Sequence, residues 1–202
     1  MKVIIVGASG KIGRETVAGL SGKHEIVQVR ATSGDVRCDY TDPASIAAMY
    51  ESVGQFDALI SVAGRDSTFK SFDALTPDDY RYGFERKFLG QVELVEQGRH
   101  KISDNGCFIL TSGYLSHYPN PASIATGPLN AAIDTFVKNR APLLERGIRL
   151  NIVSPAPVVA PGEEAEGLVT AAQTTQFYVD TIEGDFSGKV LRAWGGLPPK
   201  FS

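Results

Sequence analysis

The sequence predicts a doubly wound α/β fold, a parallel sheet of about seven strands with helices on both faces. Two observations predict it. Short apolar runs alternate with longer stretches of helical periodicity along the chain, the pattern of successive βαβ units. Residues 7–13 read Gly-Ala-Ser-Gly-Lys-Ile-Gly, a glycine loop set directly after an apolar run and directly before a helical pattern. A third observation sets the scale. With 202 residues, 43% of them hydrophobic, the chain has the size and composition for one domain, 1–202, with a real core.

The elements follow in order. Val3–Val6 reads as a buried strand and Lys11–Ser21 as the helix after it. Glu25–Arg30 is the second strand and Val36–Cys38 a short third. Thr41-Asp42-Pro43 opens a helix to about Val53, and Asp57–Val62 is the fourth strand. From Thr76 to His100 the pattern is strongly helical: Thr76 suits an N-cap, Pro77 the first helical position, and Asp78 and Asp79 the positive end of the dipole. Tyr80, Phe84, Phe88, Val92 and Val95 form its apolar stripe, which is expected to be buried. Cys107–Thr111 is the fifth strand. Pro121–Glu145 is a helix interrupted or re-aimed near Gly127-Pro128, and Ile148–Val153 the sixth strand. Glu164–Ile182 is a helix, and Lys189–Ala193 the last strand.

Charge and composition exclude several functions. A net charge of −3 lacks the broad basic footprint of a nucleic-acid binder. The apolar run after Met1-Lys2 is too short for a secretory core of about 7–15 residues. No run is long enough to span a bilayer, so a soluble, cytoplasmic protein without membrane partners is expected. Cys38 and Cys107 are too few for a disulfide framework and read as buried thiols. His24, His100 and His117 are scattered without ligand spacing, so no metal site is expected.

The glycine loop has a physical reading. Gly7 permits a tight turn, Gly10 lets a pyrophosphate approach the backbone, and Gly13 lets the helix pack on the strand. The N–H groups at the helix start, including those of Lys11 and Ile12, face the anion, and Ser9 adds a hydroxyl. A dinucleotide is therefore expected. In an NAD site the second strand usually ends in an acid that binds the ribose 2′-hydroxyl. Here Arg30 stands near that spacing, followed by Thr32 and Ser33, and Lys11 is a further cation. A guanidinium suits a 2′-phosphate, so NADP is expected rather than NAD.

Together these motifs resemble the short-chain dehydrogenase/reductase family. The glycine loop carries the resemblance, with Asp39-Tyr40, similar to the family's adenine-contacting acid. Ser61-Val62-Ala63-Gly64 resembles its Asn-Asn-Ala-Gly turn. Gly147-Ile148-Arg149-Leu150-Asn151-Ile152-Val153-Ser154-Pro155 resembles its Gly-Ile-Arg-Val-Asn-x-Val-x-Pro segment. The resemblance implies a Rossmann fold, a nicotinamide cofactor contacted by Ala63, Gly64 and Pro155, and carbonyl/alcohol chemistry on a small-molecule substrate. It also implies a homodimer or homotetramer built through the two long helices.

The family's catalytic residues are absent. Its serine position falls on Gly113, with Ser112 one residue before it. Its tyrosine falls on Thr126, its lysine on Asn130, and its helix asparagine on Lys87. A threonine hydroxyl does not ionise usefully, so proton delivery needs another group. Lys87, about 20° from Tyr80 on the helical wheel, is the candidate acid. Ser112 is the candidate substrate hydrogen bond, and Tyr114 or Tyr118 an alternative phenol. After Pro155 a brief, proline-stiffened stretch is expected to lead almost at once into the next helix, leaving little lid. Two functions stay open: an NADP-dependent oxidoreductase with a rearranged proton relay, or an inactive NADP(H)-binding sensor or scaffold.

Overall fold

The computed structural model describes residues 1–64 and 68–200. Seven parallel strands form one sheet in the order β3-β2-β1-β4-β5-β6-β9: β1 (Lys2–Val6), β2 (Glu25–Arg30), β3 (Val36–Arg37), β4 (Phe56–Ser61), β5 (Ile102–Thr111), β6 (Arg149–Pro155) and β9 (Val190–Ala193). The doubly wound reading holds. Strand order reverses between β1 and β4, so the carboxyl ends of these strands open a crevice where such sheets bind ligands.

Side-chain alternation along the strands supplies a core to each face. Ile4, Val6, Leu59, Phe108, Leu110, Leu150 and Ile152 meet the helices α2 (Pro43–Val53), α4 (Leu89–Gly98) and α5 (Thr126–Arg140). Val3, Ile5, Ala58, Ile60, Ile109 and Val153 meet α1 (Lys11–Leu20) and α6 (Ala171–Glu183). Cys38 and Cys107 are buried free thiols, and burial pushes Cys107 up to about 11.

Four elements depart from the sequence reading by more than two residues. The helix read as Thr76–His100 is α3 (Pro77–Gly83), a π-turn over Phe84–Phe88, and then α4. The wider π-turn shifts the helical phase of every residue beyond it. Tyr80, Phe84, Phe88 and Val92 are only half-buried, while Lys87, Gly90, Gln91, Leu94, Val95 and Gly98 make up the buried face. The displaced rings still pack: Phe88 meets Phe84 at 5.8 Å and Phe136 of α5 at 6.2 Å.

The regular β4–β5 ladder starts at Cys107, as expected, but β5 itself begins at Ile102, with a register jump between. The helix expected from Pro121 begins at Thr126, which puts Pro128 in its first turn, where a missing N–H breaks no bond. The helix expected from Glu164 begins at Ala171. There Thr170 and Gln173 form a reciprocal capping box. The chain between Pro155 and that cap is longer than expected and makes a small ribbon of β7 (Val158–Val159) and β8 (Val169–Thr170).

One buried hydroxyl chain ties the sheet to α6. The Thr111 hydroxyl donates to the Ser61 carbonyl, so the Tyr178 phenol, 2.6 Å from it, is the donor to Thr111. Tyr178→Phe removes that bond and is expected to lower the unfolding free energy by about 1 kcal/mol. Urea titration would read this as an earlier midpoint with an unchanged m-value.

Candidate active site

The crevice at the carboxyl ends of β1 and β4 is built from the glycine loop. Gly7 has φ 86°, and a β-carbon on it would lie 2.7 Å from the Ala63 nitrogen; one on Gly13 would lie 2.3 Å from the Gly7 oxygen. Loop, helix and the turn after β4 are thus packed backbone on backbone, which only glycine allows. Gly10 differs: a β-carbon there would meet nothing closer than 3.5 Å, so its bare face looks into open space. No side chain caps α1, whose first backbone bond runs from Arg14 N–H to Gly10 O. The N–H groups of Lys11, Ile12 and Gly13 are therefore left at an uncapped helix start, the donor set an anion needs.

A cleft of about 500 Å³ extends from this loop. Ser9, Gly10, Lys11 and Ile12 line one end, Tyr40, Ala63 and Gly64 its flank, and Lys87, Ser112 and Pro155 the far end. The Tyr40 ring stands against Gly90 of α4, where a β-carbon would come within 2.7 Å of it. Arg30 ends β2 with its guanidinium on Gln28 Oε1 at 2.6 Å and its buried Nε without a hydrogen-bond partner. Thr32 and Ser33 lie exposed in the turn after it. The Asp39 carboxylate accepts from the Thr41 hydroxyl and N–H, which hold it below the ordinary aspartate range. It organises its own turn, beside the cleft-lining Tyr40.

A second cavity, of about 400 Å³, opens beyond the far end. Phe69, Tyr114, Leu115, Ala156 and Pro157 give it an apolar wall, and Ser123, Thr126 and Asn130 polar points. Tyr114 stacks on Tyr118 at 5.9 Å, and Tyr118 meets the buried Trp194 edge-on, so the wall is backed by an aromatic stack. Cleft and cavity share four residues: Gly64, Lys87, Ser112 and Pro155. Another hollow, under Arg99, Arg140 and Arg146, lies at the amino ends of β5 and β6; its guanidiniums pair with Glu96 and Asp104.

Among the described residues, Lys87 is the charged group at the junction, and only 4% of it is exposed. The π-turn carries it inward. Its Nζ donates to Asn130 Oδ1 at 2.9 Å and to the Ser112 carbonyl at 3.1 Å, and Asn130 Nδ2 donates to the Gly113 carbonyl at 3.1 Å. One turn further on, the Gln91 side chain bonds both the N–H and the carbonyl of Thr111 at the end of β5. The positions aligned with the family's catalytic set therefore do converge, but with the cation on the other helix.

Ser112 is buried, and its hydroxyl lies near the Asp134 carboxyl without hydrogen-bond geometry. The Thr126 hydroxyl is also buried without a partner. Sequence reading selected Lys87, Ser112 and Tyr114, all of which line the cavity. It passed over Asn130, Gln91 and Asp134. Asn130 had registered only as a missing lysine, although its pairing with Lys87 joins two positions the alignment had already marked.

Comparison with known proteins agrees with this fold. The family model described as enoyl-(acyl carrier protein) reductase matches residues 1–180, and the chain belongs to the short-chain dehydrogenase/reductase family. An uncharacterised oxidoreductase of Methylorubrum extorquens is 26% identical over 174 residues, 82% of this chain and 66% of that protein. General stress protein 39 of Bacillus subtilis is 24% identical over 140 residues, 69% of this chain and 49% of that protein. The chain thus spans about half to two thirds of the length of these curated relatives. Among solved structures, the protein lin1944 from Listeria innocua superposes with a TM-score of 0.89 at 33% identity, covering 96% of this chain and 100% of that one. A small-chain dehydrogenase solved in complex with NADPH superposes at 0.87 with 24% identity, covering 97% of each chain. No helix among the described residues is long and apolar enough to cross a membrane.

Asp134 gives the site a measurable signature. Only 8% of it is exposed, and burial pushes its carboxyl above the ordinary range against the pull of Ser112, Lys138, Arg192 and Lys87. The folded protein then holds this proton more tightly than the unfolded chain. Stability linked to it is fully present below the unfolded value of about 3.9 and declines as pH rises towards the folded one. Asp134→Asn is expected to melt higher than the parent at neutral pH, with the gap closing below about pH 4. Thermal melts across that range check the sign.

Proposed function

We propose that the protein is an NADP-dependent oxidoreductase that interconverts a small carbonyl compound and its alcohol through a non-standard proton relay. One observation carries the reading: a cleft suited to a dinucleotide and an apolar cavity suited to a substrate meet at a buried ammonium. The residues fit the cofactor. The uncapped start of α1, with Ser9 and the bare face of Gly10, would hold the pyrophosphate, and Arg30 with Lys11 the 2′-phosphate, assisted by Thr32 and Ser33. Tyr40 with Asp39, and Ala63 with Gly64, would flank the adenosine half, and Pro155 the nicotinamide. The NADPH found in a structural relative supports the same choice.

When bound, the reduced nicotinamide supplies a hydride to the carbonyl carbon. Lys87 delivers the proton that the carbonyl oxygen then needs, leaving a neutral amine to be reprotonated from solvent. Tyr114 with its aromatic backing shields the substrate from water, and the Ser112 hydroxyl, buried beside Asp134, supports the junction from behind. A lysine ammonium carries only N–H donors, so it can offer a proton to the carbonyl oxygen. The site is rebuilt rather than eroded. Gly113 has no side chain where Asn130 packs, Asn130 holds Lys87, and the π-turn aims it. An inactive sensor would have no need to keep these linked. The reading also carries a homodimer or homotetramer through α4 and α5 and a cytoplasmic setting.

The test is NADPH oxidation with a panel of aldehydes, ketones and quinones. Lys87→Met is expected to lower turnover by at least about 100-fold while NADPH affinity stays within a few-fold; Gly10→Val, which is expected to abolish binding, is the control. Unchanged turnover in Lys87→Met removes it from the mechanism. Tight NADPH binding with no turnover on any substrate favours the sensor. Separately, Arg30→Ala is expected to weaken NADPH binding by about 10-fold, the worth of a charge-assisted bond, and to leave NADH nearly untouched. Equal losses for both, by calorimetric titration, would reverse the cofactor choice.

A further inference from the structure

β2 ends beside the glycine loop: the Gly7 N–H donates to the Val29 carbonyl at 3.0 Å, and Arg30 is the next residue. Residues two apart on a strand share a face, so Gln28 and Arg30 stand side by side. Arg30 Nη2 donates to Gln28 Oε1 at 2.6 Å. Among the described residues the arginine side chain makes no other hydrogen bond or ion pair, and its Nε is buried. The donors left for an incoming acceptor are those of Nη1 and the second proton of Nη2.

The turn after the strand closes over the arginine stem. Asp35 N–H donates to the Gln28 carbonyl at 3.0 Å, and Gln28 N–H donates to Asp35 Oδ2 at 2.8 Å, so both backbone groups of Gln28 latch the turn. Gly34 lies inside it with φ 96°. A β-carbon on Gly34 would fall 2.7 Å from the Gln28 carbonyl oxygen and 3.2 Å from Arg30 Cγ. Only glycine lets the turn come this close to the stem in that conformation. The first carboxylate after the strand, Asp35, is engaged in the latch.

We infer that Gln28 is a positioning residue for Arg30, and that with the Gly34 turn it sets the preference of the site for a cofactor carrying a 2′-phosphate. The inference rests on the reading of Arg30 as a phosphate-binding group. A long side chain that is free before binding must be ordered by its ligand, which costs affinity. Here the amide holds the guanidinium and the turn holds the stem beforehand, so less freedom is lost when the phosphate arrives. A cofactor with a bare 2′-hydroxyl makes no use of this preparation, so the effect of Gln28 is confined to the phosphorylated form.

The experiment is calorimetric titration of NADPH and NADH into the full chain and its variants. Gln28→Met keeps the length of the side chain and removes the acceptor. It is expected to weaken NADPH binding by about 5-fold and to leave NADH within about twofold. In an Arg30→Ala background the same substitution is expected to change nothing further, because no guanidinium remains to be held. Gly34→Ala disturbs the stem from the other side and is expected to give the same selective loss. Circular dichroism confirms that each variant is folded. Unchanged NADPH affinity in Gln28→Met, an equal loss for both cofactors, or a loss that persists without Arg30 overturns the inference about Gln28. Unchanged NADPH affinity in Gly34→Ala overturns the part given to the turn. A ratio of NADPH to NADH affinity left unmoved by Arg30→Ala alone overturns instead the reading of Arg30.

Discussion

A charge placed out of water must find partners or lose its proton. That constraint organises this protein's ligand end. The Lys87 ammonium sits under the wall between cleft and cavity, and it donates hydrogen bonds to the end of β5 and to the first turns of α5. Three elements distant in sequence are therefore held in register at the point where chemistry is to occur. The Gln91 clasp on Thr111 belongs to the same arrangement, since it fixes the height of α4 along the strand whose end receives the lysine. Loss of the buried charge would release more than one contact, because each partner is itself buried and polar.

The helix that carries Lys87 packs closely on α2 and on the turn before it. Gly90 and Gly98 leave no room for side chains: β-carbons would fall 2.6 Å from the Tyr40 carbonyl oxygen and 2.4 Å from the Tyr50 hydroxyl oxygen. Its aromatic residues are turned aside towards α5. The buried face thus combines the small Gly90 and Gly98 and the polar Gln91 with the core residues Leu94 and Val95, and a long lysine stem passes Gly64. Packing and chemistry share one surface.

Much of this was legible in the sequence. The strands, the order of elements and the glycine loop arise from apolar runs and glycine spacing, which are local signals. The π-turn is not local in that sense: a helical wheel assumes a constant angle per residue, and one widened turn exchanges the faces after it. That is why Phe88 and Val92 read as core while Lys87 and Gln91 proved to be the buried residues. The start of α6 was misplaced because Glu164 and its neighbours look helical, whereas the capping box at Thr170 and Gln173 decides. In the site, Lys87 and Ser112 follow from alignment with a family pattern, and Tyr114 from its place in the loop after β5. Asn130 was seen there only as something missing, because its value lies in a partner 43 positions away in sequence.

The aromatic wall of the second cavity has an optical consequence. Trp194 is the chain's one tryptophan, held by an indole N–H bond to the Ser154 hydroxyl and packed with Tyr114, Tyr118 and Ala156. Its emission overlaps the absorption band of a reduced nicotinamide, so light absorbed by the indole can pass to a dihydropyridine ring nearby. The fold thus contains a built-in optical probe, with neither label nor added chromophore in the protein, and its single origin spares the signal the averaging that several tryptophans would impose.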